Sequence, residues 1–164
     1  MASRIHSGTV IAAIVLSAMI AGLVYRYSPG EERSVRRHIS NLAEALSFPS
    51  AENEVQRLTR FQALREYFVP DVRIRVDGEE IQSSEALVAL LGQVRPPPAG
   101  IVVEFGDVVV ALAEDEATAA VTLTARVSTT DPATGRRTVD ARKAALTMTR
   151  RPGDWMIATA ETRD

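Results

Sequence analysis

Apolar residues recur at helical spacing directly after residue 28. Ser28, Pro29 and Glu31 have the order of an N-cap, a proline at the first helical position and a capping-box glutamate, which predicts a helix start. Apolar residues at intervals of three and four from Val35 to Leu46 then predict one buried stripe. A second helix is expected at residues 51–67 after a cap at Ser50, with an apolar face of Val55, Leu58, Phe61, Leu64 and Phe68.

The period of the pattern changes to two after the second helix. Apolar and basic residues alternate from Val72 to Val76 and stop at Asp77-Gly78, which predicts a half-buried strand and a turn. A short helix capped by Ser83 or Ser84 should follow and end before three prolines. Helices followed by antiparallel strands predict an α+β domain. Four β-rich runs, 101–112, 118–129, 137–149 and 154–162, complete the chain.

The stretch from Gly8 to Tyr25 carries no charge over 18 residues. As a helix it would span roughly 27 Å, near the thickness of a hydrocarbon core. Aromatic and basic residues at 25–27 suit the headgroup level. Cleavage after Ala18 or Ala21 would lack a small residue at position −3. We therefore expect residues 1–27 to be a tail and a retained single-pass transmembrane anchor, and residues 28–164 to be one domain.

Arginines flank this segment on both sides, and their count alone would keep the domain in the cytoplasm. Three of them share a helix with Glu31 and Glu32, and long C-terminal domains translocate largely regardless of charge. We therefore expect the domain on the extracytoplasmic, periplasmic side of the membrane. A cleaved segment would instead leave a secreted ligand carrier.

Composition excludes several classes of function. After residue 27 the chain has 17 basic and 21 acidic residues, a net charge of −4, and no basic stripe, so no nucleic-acid partner is expected. The absence of cysteine excludes disulfides, thiolate metal sites and cysteine nucleophiles. The two histidines, His6 and His38, lie far apart, and the acidic run at 114–116 fits a solvated turn. No metal site and no cofactor is predicted.

The order of helix, helix, strand, short helix and four long strands resembles the nuclear transport factor 2 superfamily, especially its SnoaL-like branch. Residues 67–72, YFVPDV, look like the family's aromatic-x-x-Asp entry to the first strand, and residues 153–157, GDWMI, look like its last strand. The resemblance implies a curved sheet wrapped around helices into a cone with an apolar pocket. The superfamily includes isomerases, cyclases and dehydratases as well as many non-enzymatic binding modules.

In the steroid isomerases of this superfamily, a tyrosine of the first helix and an aspartate of the first strand face each other across the pocket. Matching the motifs places His38 at the tyrosine and Val76 at the aspartate, so the base is missing. Asp77 comes one residue later, where strand alternation turns it to the opposite face unless a bulge intervenes. His38 and Asp77 are therefore only weak catalytic candidates. The candidates for lining the pocket are His38, Ile39, Leu42, Phe61, Phe68 and Trp155.

Each candidate also has a structural interpretation. His38 fits a boundary histidine hydrogen-bonded to backbone, Asp77 fits a turn residue, and Trp155 fits the core. The arginines on the strands would form either an anion site or a charged outer face of the sheet.

The sequence thus favours a membrane-anchored domain that works as a non-enzymatic binding or assembly module. Its expected partners are the membrane, a second copy bound through the exposed sheet face, and membrane proteins. The alternatives are an isomerase, dehydratase or cyclase acting on a small apolar molecule with His38 as its acid-base group, or a small-ligand carrier. An enzyme predicts an open pocket with a second polar group near His38.

Overall fold

Three helices and six strands make up the part of the chain that the computed structural model describes, residues 29–50 and 52–163. The predicted anchor, residues 1–27, lies outside this part. Among the described residues, no helix is long and apolar enough to cross a bilayer. The elements are α1 (Pro29–Leu46), α2 (Glu54–Arg65), β1 (Phe68–Val76), β2 (Glu79–Gln82), α3 (Ser84–Gln93), β3 (Ile101–Leu112), β4 (Thr118–Thr130), β5 (Arg137–Arg151) and β6 (Asp154–Arg163). Helices packed on a curved sheet confirm the predicted α+β class.

Helix α1 buries the predicted stripe against the sheet. Val35, Ile39 and Leu42 are almost completely shielded from solvent. The first turn is fastened to one end of the sheet, because Glu31 accepts a hydrogen bond from Trp155 Nε1 (3.3 Å) and pairs with Arg150 Nη1 (2.8 Å). These contacts fix how α1 crosses the strands.

Helix α2 begins later than the expected residue 51, because Asn53 caps it rather than Ser50. Asn53 Oδ1 accepts from the Gln56 amide at 2.9 Å, and Gln56 Oε1 accepts from the Asn53 amide at 3.1 Å, which is a reciprocal capping box. The predicted apolar face was wrong in its first half, since Val55 and Leu58 are exposed. Only the second half of α2 packs on the core, through Phe61 and Leu64.

The six strands form one sheet in the order β2-β1-β6-β5-β4-β3. Strands β3 to β6 pair antiparallel with their neighbours in sequence, as predicted. Strand β1 pairs antiparallel with β2 and parallel with β6. The parallel pair and the short strand β2 were not predicted, so the sheet is mixed but mainly antiparallel.

Shifts of register bend the sheet around the helices. They occur in β3 between Gly106 and Val109, and between Thr147 and Met148 where β5 meets β6. Such bulges increase the local twist and bend the strand that contains them. Strands β1 and β6 shift in the same way. The concave face that results encloses α1 and α3 and gives the domain a cone-like shape.

Strand β3 is the edge of the sheet farthest from β2, and the segment after α1 covers part of it. Phe48 forms an antiparallel bridge with Ile101, and Ser47 Oγ accepts from the Val103 amide at 2.9 Å. Backbone groups of an unpaired edge would otherwise be available to another strand. The pairing therefore closes one end of the β3 edge.

Candidate ligand cavity

An apolar cavity of about 270 Å³ lies between α1, α3 and the concave face of the sheet. It forms because alternate residues of each strand point to this face. Its accessible wall surface is apolar, and its volume lies just below the roughly 300–1,000 Å³ range of small-molecule sites. The apolar residues that line it are Leu42, Leu46, Phe68, Ile74, Val76, Leu87, Leu91, Phe105, Leu123, Ala125, Ala144, Leu146, Ile157 and Ala160.

Charged residues lie around the mouth of this cavity: Arg75 and Glu161 belong to its lining, and Arg142 lies beside the lining residue Ala125. Alternation along β5 places Arg142 on the same face as the lining residues Ala144 and Leu146, but nearer the mouth. Arg142 Nη1 donates to both carboxylate oxygens of Asp77, at 2.7 and 2.6 Å, and Nε donates to Asp140 Oδ2 at 3.4 Å. The hydrogen bond and the charge of Asp77 raise the pKa of Arg142, so the guanidinium remains cationic.

Asp77 lies in the turn between β1 and β2, directly after the lining residue Val76. Its backbone is left-handed, with φ at +50°, and this departure from strand geometry brings the carboxylate to the cavity mouth. Strand alternation alone would have turned it away. Both oxygens accept from Arg142, so the carboxylate is oriented towards the guanidinium in this arrangement.

His38 lies outside the cavity lining, against Tyr67, with their ring centroids 4.8 Å apart. Burial lowers the pKa of His38, and a hydrogen bond to the Tyr67 backbone and the charge of Asp154 oppose this shift. Its Nε2 atom is buried without a partner among the described residues. The side chain is therefore mainly neutral at physiological pH and lies outside this cavity.

The other pocket candidates separate into two groups. Leu42 and Phe68 line the cavity. Ile39 borders a groove between α1 and β3, Phe61 packs its ring edge against Phe48, and Trp155 is buried at the end of the sheet where α1 begins. The structure therefore brings two of the six candidates together at the cavity.

Sequence reasoning missed most of the cavity wall, including Leu123, Ala144 and Ala160. A signal for them was present, because each lies in a β-rich run in which every second residue points to the same face. The missing information was the register, which pairs Leu123 with Ala144 and brings them to the same depth.

The outer face of the sheet, opposite the helices, contains a groove of about 410 Å³. Small residues form its floor, and charged residues border it. Arg75 pairs there with Glu80 at 3.7 Å and with Glu161 at 3.9 Å. The predicted charged outer face is therefore present, with its charges mostly paired. The floor consists of Ala120, Thr122, Ala145, Thr147 and Thr159.

Within residues 29–50 and 52–163, no three side chains of histidine, aspartate or glutamate are grouped so that they could hold a metal ion. The acidic run at 114–116 lies in the tight turn between β3 and β4, where Asp115 Oδ1 accepts from the amides of Ala117 and Thr118 at 2.9 and 3.1 Å. Its geometry is that of a turn stabilised by its own aspartate.

Comparison with known proteins gives a family match and several shared folds. The family model of the SnoaL-like domain matches residues 56–161 of this sequence. No curated protein matches the chain. Aln2 from a Streptomyces species is 18% identical with a TM-score of 0.68, over 84% of this chain and 92% of that one. The association domain of C. elegans CaMKII is 12% identical with a TM-score of 0.66, over 83% and 97%.

A third solved structure is a proposed scytalone dehydratase from Novosphingobium aromaticivorans. It is 14% identical with a TM-score of 0.63, over 81% of this chain and 83% of that one. At such identities the likeness establishes the fold alone. The fold is therefore shared by a proposed dehydratase and by an association domain.

Proposed function

Because this chain belongs to the SnoaL-like family, within the nuclear transport factor 2-like superfamily, we propose that its cone binds a small, mainly apolar molecule without transforming it. The apolar cavity carries this proposal. Burial of apolar surface contributes about 25 cal/mol per Å², so such a wall favours an apolar ligand. Proton transfer would need a titratable group within hydrogen-bond reach of the ligand. Among the described candidates, His38 lies outside the lining and Asp77 is paired with Arg142. Glu161 belongs to the lining but pairs with Arg75.

We further propose that residues 1–27 hold the domain at a membrane, on its periplasmic side. The support is the uncharged stretch of 18 residues from Gly8 to Tyr25 and the aromatic and basic residues at its end. An anchor would keep the binding domain beside the phase in which apolar ligands dissolve, and beside membrane proteins that deliver or receive them.

Assembly of two copies through the outer sheet face is part of the same proposal. The small floor residues would let a second sheet approach closely, and the bordering charges could pair across the contact. The association domain of CaMKII, which shares this fold, is compatible with assembly on such a scaffold.

An enzyme of the dehydratase, isomerase or cyclase kind is the second candidate. The observation in its favour is the Asp77 carboxylate at the mouth of the cavity, where a ligand could displace it from Arg142. The shared fold with a proposed scytalone dehydratase agrees with this alternative. It requires that Asp77 move a proton of the bound molecule.

A cavity-filling substitution tests the binding proposal. Ala144 lines the cavity, whereas Ala141 is exposed on the opposite face of the same strand. The full chain is titrated with Prodan, a neutral naphthalene ketone whose fluorescence reports its surroundings. We expect Ala144→Phe to remove saturable Prodan binding, because the ring occupies the cavity, and Ala141→Phe to retain it. Equal binding by both variants would contradict the proposal.

A further inference from the structure

Arg142 combines two properties that make it suited to contact a ligand. Its side chain leaves β5 on the cavity face, about 7 Å along the strand from the lining residue Ala144. Its guanidinium ends beside Asp77, the neighbour of Val76 in the cavity wall. A molecule that filled the cavity would therefore present its outer end to this guanidinium.

The hydrogen bonds of Arg142 leave donors available. Asp77 engages Nη1 and Asp140 engages Nε, so among the described contacts the Nη2 protons remain for a ligand. The side chains of Arg142 and Asp77 are 46% and 58% exposed. Ion pairs with this exposure contribute little to stability and rearrange readily. A ligand could accept a hydrogen bond from Arg142 beside Asp77, or displace Asp77 from Arg142, at a low cost in free energy.

The charges around the mouth restrict the kind of ligand. Two carboxylates, Asp77 and Asp140, already face one guanidinium. An anionic end group would be repelled by both carboxylates, and a cationic one would have to compete with Arg142 for carboxylates that are already paired. A neutral oxygen, as in a ketone or an alcohol, can accept from Nη2 without changing the charge balance.

We propose that Arg142 donates a hydrogen bond to the ligand, so that the cone selects small apolar molecules with a neutral carbonyl or hydroxyl oxygen at one end. This proposal rests on the proposed binding function. Arg142 is then the residue that determines the specificity of the cavity. The apolar body occupies the cavity, and the oxygen lies at the mouth.

Two probes that differ by one ketone test this selection. Prodan contains the ketone, and dimethylaminonaphthalene lacks it. Arg142→Met removes the donors but keeps an extended side chain, and Lys143→Met makes the same change of charge on the opposite sheet face. We expect Arg142→Met to weaken Prodan binding by about five- to tenfold, as for the loss of one hydrogen bond, and to shift its bound emission to shorter wavelength. Lys143→Met should leave the affinity for Prodan and its bound emission unchanged.

The second probe separates the outcomes. Dimethylaminonaphthalene should bind the parent chain and Arg142→Met equally. Loss of affinity for both probes in Arg142→Met, or equal effects of Arg142→Met and Lys143→Met, would overturn the role of Arg142. Tighter binding of a naphthalene carboxylate than of Prodan would overturn the preference for a neutral oxygen. Undiminished binding by Ala144→Phe would instead refute the cavity function itself.

Discussion

At the scale of single residues, the buried imidazole of His38 couples folding to pH. Burial lowers its pKa in the folded chain below the ordinary value of 6.5. The stability that depends on neutral His38 is therefore complete above the unfolded pKa and is lost as the pH falls from there towards the folded pKa. We expect the free energy of unfolding to fall less for His38→Phe than for the parent chain when the pH is lowered from about 7.5 to about 5. Urea unfolding at both pH values measures this difference.

The control for this experiment is Asn41→Phe, an exposed site on the same helix, which should keep the parental pH dependence. Asp154 is the carboxylate whose charge acts on His38, and it remains in every variant. Equal losses of stability in the parent and in His38→Phe would show that the imidazole has no part in the pH dependence.

Two glycines should respond in opposite directions to the same substitution. Gly100 has a φ of +81°, and a Cβ there would lie 2.3 Å from the backbone oxygen of Phe48. Gly92 lies in α3, where a Cβ would meet no atom within 4 Å. We expect Gly100→Ala to destabilise the domain by more than about 1 kcal/mol, and Gly92→Ala to stabilise it by up to about 0.5 kcal/mol. Thermal unfolding followed through the single tryptophan, Trp155, measures both; a stabilising Gly100→Ala would contradict the close approach.

At the scale of elements, one arginine fastens α2 to the junction between α1 and β3. Arg60 pairs with Glu52, donates through Nη1 to the Ser47 carbonyl, and lies 4.8 Å from the centre of the Phe48 ring. The paired side chains of Arg60 and Glu52 are only 13% and 9% exposed. Removal of one partner leaves the other buried and unpaired, which costs about 3 kcal/mol or more.

We therefore expect Arg60→Met to destabilise the domain strongly, and Glu52→Gln combined with Arg60→Met to recover part of the loss. Arg57→Met, one turn earlier on α2, is the matched control and should change stability by less than about 0.5 kcal/mol. Chemical unfolding gives the free energies of these three variants and of Glu52→Gln alone. A double variant as unstable as the sum of its single variants would show that the two charges do not act as a pair.

The elements differ in how far the sequence determined them. Alternation placed β3 to β6 correctly because each strand pairs with its neighbour in sequence. The start of α2 was also readable, since Asn53 and Gln56 have capping-box spacing, but Ser50 offered an equally good cap by type. Strand β1 pairs with β6, which lies at the other end of the domain's sequence, so no local pattern predicted it. Leu42 and Phe68 could be named as lining candidates from their residue type and their position in the elements. The side chain of Arg142 could be placed beside the cavity only from the register of β5.

At the scale of the whole molecule, the same strands serve both faces of the sheet. Neighbouring residues such as Ala144 and Ala145 point to the apolar cavity and to the outer groove, respectively. The proposed ligand binding and the proposed assembly would therefore use different side chains on a common backbone. This separation means that the outer face can be altered without filling the cavity.

Thr122 lies exposed on β4, on the floor of the outer groove and next to Ala145 of β5. If two copies meet through this face, Thr122→Arg places an unpaired charge in the contact, where desolvation opposes association. We expect the parent chain to sediment as a dimer and Thr122→Arg as a monomer, while both bind Prodan equally because the cavity is untouched. Gln62→Arg, exposed on α2 away from the sheet, makes the same change of charge and should remain dimeric. A parent chain that is monomeric at all concentrations, or a Thr122→Arg variant that dimerises like the parent, would exclude the outer face as the site of assembly.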